Sequence, residues 1–172
     1  MSTQEARTFS ASCDQLTAVL QRFNAELRSP SSASSTQTQR RLLVIYLLSQ
    51  VAIIQLHSAF AWKSADSRRQ VLTAAEAIVK CMRSVGLQHY NGFIDPVVAI
   101  LLKIVGNVFI TELSSPSPII DPRRLASSCE TVIQAMTILG GTGMFLNADD
   151  IHRSDSQAQA LQQRYNALRG RS

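Results

Sequence analysis

The chain has 172 residues, of which 45% are apolar and 17% charged, with a formal charge of +5. A single domain of this length buries roughly 70% of its unfolded surface and holds a core without disulfide or metal staples. That apolar share excludes wholesale disorder, and 7 glycines with 6% aromatics argue against a large antiparallel sandwich.

Cys13, Cys81 and Cys129 are odd in number and far apart, so they make neither a disulfide framework nor a CxxC metal site. The first twelve residues lack the continuous apolar stretch of a secretory signal. Fourteen of the 17 basic residues are arginine, a mild basicity that permits an acidic partner without naming one.

In chain order, Phe9, Cys13, Leu16, Leu20, Phe23 and Leu27 alternate spacings of four and three, which predicts a peripheral N-terminal helix within 1–28. Residues 29–39, SPSSASSTQTQ, lose every large apolar side chain and read as a flexible Ser/Thr/Gln linker. A helical regulatory core is expected over 40–146, followed by a polar C-terminal helix over 147–172.

From Leu42 to Trp62 the chain runs without a formal charge. Tyr46, Ser49, Gln50 and His57 share an arc about 100° wide on a helical wheel, with the rest apolar nearly all round. Such a helix must be enclosed by protein or by lipid. A third helix is expected over 65–85, with Ser67 and Gln70 as a capping box and Gly86 as its stop.

Asp95-Pro96 opens a fourth, apolar except for Lys103, Asn107 and Glu112. SSPSP at 114–118 breaks the chain, and Asp121-Pro122 opens a fifth helix closed by Gly140-Gly141. A sixth is expected from about Asp149 to Arg169. No stretch sustains period-two alternation, so the fold class is all-α, with about six helices. The two nearly all-apolar helices form the expected centre, packed by amphipathic ones.

Catalytic signatures are scarce. There is no GxSxG, and LGGTGMFL at 139–146 has neither a lysine nor a preceding strand, so it reads as a helix stop. Asp149, Asp150, His152 and Asp155 resemble a small ligand cluster, but acids near a helix start also answer the helix dipole. The arginine pairs at 40–41, 68–69 and 123–124 read as solvated charge, within reach of acids such as Asp66 and Asp121. Ser29-Pro30, Ser115-Pro116 and Ser117-Pro118 lie in the two linkers and are candidate phosphorylation positions, where a phosphate could recruit an arginine pair. No acid, base and nucleophile converge by any visible spacing, and the chain reads as non-enzymatic.

IIQLHSAF (53–60), SRRQVLTAAEAIVKCMRSVG (67–86) and DPVVAILLKIVGNVFITEL (95–113) together resemble the middle homology region of fungal zinc-cluster transcription factors. Leu56, His57 and Phe60 stand at matching positions of its "LLHRPF"-like helix end, Ala74, Ala75 and Ile78 match the second element, and Asp95-Pro96 the third. Cys129 to Leu139 resembles the closing helix. Ser58 and Ala59 replace the usual Arg-Pro, and Ser49-Gln50 stand where Tyr-His is common.

The resemblance covers about 40–140 and implies the C-terminal part of a nuclear regulatory domain. That domain modulates transcription through helix–helix or effector contacts. DNA binding, and the zinc it needs, would come from a separate module, with no cofactor in this chain. The implied partners are transcription machinery or a second copy, with a small-molecule effector as a further one and DNA reached only indirectly. His57, Lys103 and Asn107 are the polar groups placed to orient an effector between the two apolar helices, while the blander reading has Lys103 snorkelling and Asn107 bonding backbone. Two other readings compete: an integral membrane protein with a span at 42–62, and a helical adaptor or dimerisation module using the seam of the first helix.

Overall fold

The computed structural model describes residues 3–27, 30, 35–85, 97–141, 159, 161–168 and 170. The chain is all-α: α1 (Thr3–Glu26), α2 (Thr36–Ser58), α3 (Ala65–Ser84), α4 (Val97–Leu113) and α5 (Pro122–Gly141). A sixth helical stretch, α6, covers 161–168, and no strand occurs among the described residues. The helix stop expected at Gly86, the cap expected at Asp95-Pro96, residues 142–146 and the Asp149–Asp155 cluster lie outside the described residues.

Helix boundaries follow the available capping oxygens. α2 begins at Thr36, inside the segment expected to be linker, because the Ser35 side chain accepts the Thr38 N–H at 3.2 Å. One cap satisfies a donor that the apolar run itself cannot, so the helix extends beyond its greasy part. The capping box expected at Ser67 and Gln70 is replaced by Ser64, whose Oγ accepts from the Ser67 N–H at 3.2 Å. Pro122 takes the first position of α5, as its missing donor and fixed φ favour.

The uncharged run to Trp62 is not one rod. α2 ends at Ser58, and residues 59–63 form turns in which the Phe60 N–H donates to the His57 carbonyl at 3.0 Å. α2 is nevertheless long and apolar enough to cross a membrane by length and composition. Inside the fold it buries Leu43, Leu47, Val51, Ile53 and Ile54 and leaves Ile45 and Leu48 exposed.

α2 packs on α1, α3 and α4, while α5 closes the bundle against α3 and α4. Phe109, Leu102, Val98 and Val105 of α4 are essentially inaccessible, with Ile78 of α3 and Leu125, Val132 and Met136 of α5 around them. Each such side chain contributes roughly 1.5–3 kcal/mol on burial. Leu161 and Tyr165 of α6 join the same hydrophobic core, which anchors this polar helix to the bundle. A Cβ at Gly106 of α4 would strike the Leu161 side chain, and this glycine lets α6 lie directly on α4.

α1 docks through part of the expected stripe: Cys13 is buried, Leu20 packs on the core, and the Phe9 ring meets Phe60 with centroids 5.6 Å apart. Cys13 and Thr17 are buried, whereas Phe9, Leu16, Val19 and Phe23 remain exposed. The inward line Cys13–Thr17–Leu20–Asn24, buried at the first two and half-buried at the last two, keeps Cys13 and Leu20 of the apolar stripe. It takes in Thr17 and Asn24 because α2 offers them polar partners: Ser49 donates to Asn24 Oδ1 at 2.5 Å, and His57 meets Thr17. A buried polar group needs a partner more than an apolar one needs burial.

Candidate functional site

His57 ends the buried face of α2, and its Nε2 lies 2.8 Å from Thr17 Oγ1. The Thr17 hydroxyl gives its one hydrogen to the Cys13 carbonyl, also at 2.8 Å. Only its lone pairs remain for the imidazole, so Nε2 carries the proton and donates. The geometry makes His57 the group that pins α1 to α2. Thr17→Val is expected to strand that N–H in the interior and to cost about 1–3 kcal/mol, read as a lower melting temperature by circular dichroism. An unchanged melt would show that the two helices do not depend on the pair.

Lys103 is exposed on α4. Asn107 is half-buried, and instead of bonding backbone its Oδ1 accepts from Arg164 Nη1 of α6 at 2.6 Å. The expected trio therefore does not converge. Asn107 alone reaches the cavity described next, because His57 turns toward α1 and Lys103 toward solvent.

That cavity, of about 730 Å³, opens where the end of α2, the start of α3 and the second half of α4 meet. Ile54, Val71, Leu72, Ile104 and Val108 supply its apolar wall. Trp62, the chain's single tryptophan, stands at its edge 75% exposed, with Lys63 Nζ 4.1 Å from the ring centroid.

The charged part of the wall is an ion pair. Glu112 of α4, with only 5% of its side chain exposed, accepts from Arg68 Nε of α3 at 2.8 Å. Its other oxygen takes the Ile119 N–H at 2.6 Å. Arg68 Nη2 donates to Ser115 Oγ at 2.8 Å and to the Ser117 carbonyl at 3.1 Å. One carboxylate and one guanidinium thus tie α3, α4 and the 114–121 connection together across the cavity mouth. Arg68 is no solvated charge, whereas its neighbour Arg69 pairs with Asp66 at 3.3 Å on the surface and Arg41, Arg123 and Arg124 are exposed as expected. The sequence carries no local signal for a partner 44 positions away.

Between α3 and α5 a smaller cleft, of about 480 Å³, holds Lys80, Arg83 and Arg124. Arg124 is paired with Glu76 at 2.8 Å, while Arg83 donates to the hydroxyls of Ser127 and Thr131. Burial pushes the Cys81 thiol up to about 11; burial and then the neighbouring Glu130 carboxylate push Cys129 up to about 12. Protonated at neutral pH, neither is a nucleophile. Among the described residues no three His, Cys, Asp or Glu side chains gather to hold a metal ion.

The arrangement can enclose a small, largely apolar molecule and present it with a few polar groups. In comparisons with known proteins no family model matches the chain, and neither does any curated protein or solved structure.

Proposed function

We propose that the chain is a non-enzymatic helical regulatory domain of the fungal zinc-cluster type, acting in the nucleus, with DNA binding supplied by a separate segment. It would modulate transcription by coupling an effector in the α2–α3–α4 cavity to helix–helix contacts with a protein partner. The observation that carries this reading is the cavity itself. It lies between the two most apolar helices, where bundles place their ligands, and its volume falls in the range of small-molecule sites. Its charged residues are committed to a structural ion pair rather than arranged as acid, base and nucleophile. The exposed apolar side chains of α1 offer a surface for the partner contact.

The test places residues 1–172 between a heterologous DNA-binding domain and an activation domain and compares reporter output at equal protein level. A several-fold change on insertion is expected. Ile104→Phe, which fills the cavity, should shift that output again. Equal output with and without the chain would overturn the proposal.

A further inference from the structure

The unused hydrogen-bonding capacity around the cavity has a direction. Glu112 spends both carboxylate oxygens, one on Arg68 and one on the Ile119 N–H. Arg68 commits Nε and Nη2, and among the described residues no acceptor meets the two hydrogens of Nη1. Asn107 commits its oxygen to Arg164, and among the described residues its Nδ2 likewise has no acceptor. The Ser58 and Thr111 hydroxyls give their hydrogens to the carbonyls of Ile54 and Asn107, keeping only neutral lone pairs. Gln55, also in the wall, offers a carbonyl oxygen and an amide N–H alike and so sets no preference. The one cationic group left with free hydrogens is a donor, and donors on a cation make hydrogen bonds roughly twice as strong as neutral ones.

We infer that the cavity binds an apolar small molecule carrying one anionic or strongly accepting group, such as a carboxylate or sulfonate, held by Arg68 and Asn107 with its body on Ile54, Leu72, Ile104 and Val108. This rests on the reading of the cavity as an effector site and adds the chemical class of the effector. A cationic ligand is disfavoured, since the charge of the one buried carboxylate is already matched by Arg68 and the guanidinium faces the same space. A purely apolar ligand fills the wall but leaves the donors unmatched, and desolvating them lowers its affinity.

Two dyes of one ring system separate these cases: 8-anilinonaphthalene-1-sulfonate, which bears the acceptor, and neutral N-phenyl-1-naphthylamine, which lacks it. Trp62 serves as energy donor, so binding at the cavity appears as its quenching together with rising dye emission. The full chain is expected to bind the sulfonate about tenfold more tightly than the neutral dye. The preference should shrink to within about threefold in the Arg68→Met/Glu112→Met double variant, which removes both charges together. If circular dichroism shows that variant to be unfolded, Asn107→Ser takes its place. It should weaken the sulfonate at least about threefold and leave the neutral dye unchanged.

Equal affinities for the two dyes would overturn the inference. So would a preference indifferent to the folded variant, or dye binding without Trp62 quenching. The two proposals fail separately. A reporter that responds to the inserted chain while the dyes show no selectivity removes only the ligand class. Selectivity without a reporter response removes only the regulatory reading.

Discussion

Arg68→Met lowers the free energy of unfolding by about 3–5 kcal/mol, because it leaves the Glu112 carboxylate buried and without its cation. For a chain of this length that moves the melting temperature by about 6–20 °C. The loss belongs to the stranded charge rather than to the attraction in the pair. Arg68→Met/Glu112→Met should therefore recover most of it, apart from the Ile119 N–H that also loses its acceptor. Denaturant titrations followed by circular dichroism give the comparison. A single-variant cost under about 1 kcal/mol would place the pair among ordinary surface ion pairs and contradict its burial.

This pair also shows where sequence reasoning stops. The stripe Val71, Ala75, Ile78 and Met82 on α3 is legible because its 3.6-residue period needs no knowledge of the partner helix, and all four are buried. Leu125, Cys129, Val132 and Met136 on α5 behave the same way, and Pro122 marks that helix's first turn. Those local regularities suffice for an all-α chain. They fail where a tertiary partner decides. Nothing near Arg68 distinguishes it from Arg69, yet one is drawn in by Glu112 and the other stays at the surface with Asp66.

α1 is legible only in part, for a related reason. Its apolar stripe points to one seam, but the polar arc of α2 requires Thr17 and Asn24 opposite His57 and Ser49. Satisfying them keeps Cys13 and Leu20 inward and leaves Phe9, Leu16 and Val19 exposed. The polar arc is visible in the sequence; its complement on α1 is hidden among serines and threonines that serve equally as surface residues. The candidate site divides along the same line. Asn107 is recognisable as a polar group on an apolar helix, whereas the cavity depends on α2 ending at Ser58 and turning away before α3 begins. A run of apolar letters through Trp62 gives no notice of that turn.

Alkaline pH is expected to unfold the chain through its two buried thiols. Cys129 is wholly buried in α5 and Cys81 nearly so in α3, and both are held protonated in the folded state. Their pKa values rise from 9.0, the ordinary value of a solvated thiol, to about 12 and about 11. The folded form therefore keeps protons that the unfolded form releases, and unfolding gains from every rise in pH above the unfolded value. The contribution is fully present below pH 9 and is lost between pH 9 and about 11 to 12. At about 1.4 kcal/mol per tenfold, Cys129 supplies up to about 4 kcal/mol and Cys81 up to about 3. Tyr46 adds in the same direction: burial and the Cys81 thiolate raise its pKa, against a hydrogen bond from Gln50. Sums of this size rival the whole stability of an ordinary domain. Denaturation midpoints should therefore be flat from about pH 7 to 8.5 and fall steeply above about pH 9.5. Cys129→Ala lowers stability at neutral pH through the cavity it leaves, but should flatten the alkaline fall by up to about half, since Cys81 and Tyr46 still contribute. A wild-type midpoint that stays level to about pH 10.5, or a Cys129→Ala chain with an undiminished slope, would mean that water reaches these sulfurs. The packing of α5 against α3 would then be looser than the buried Cys129, Val132 and Ile78 describe.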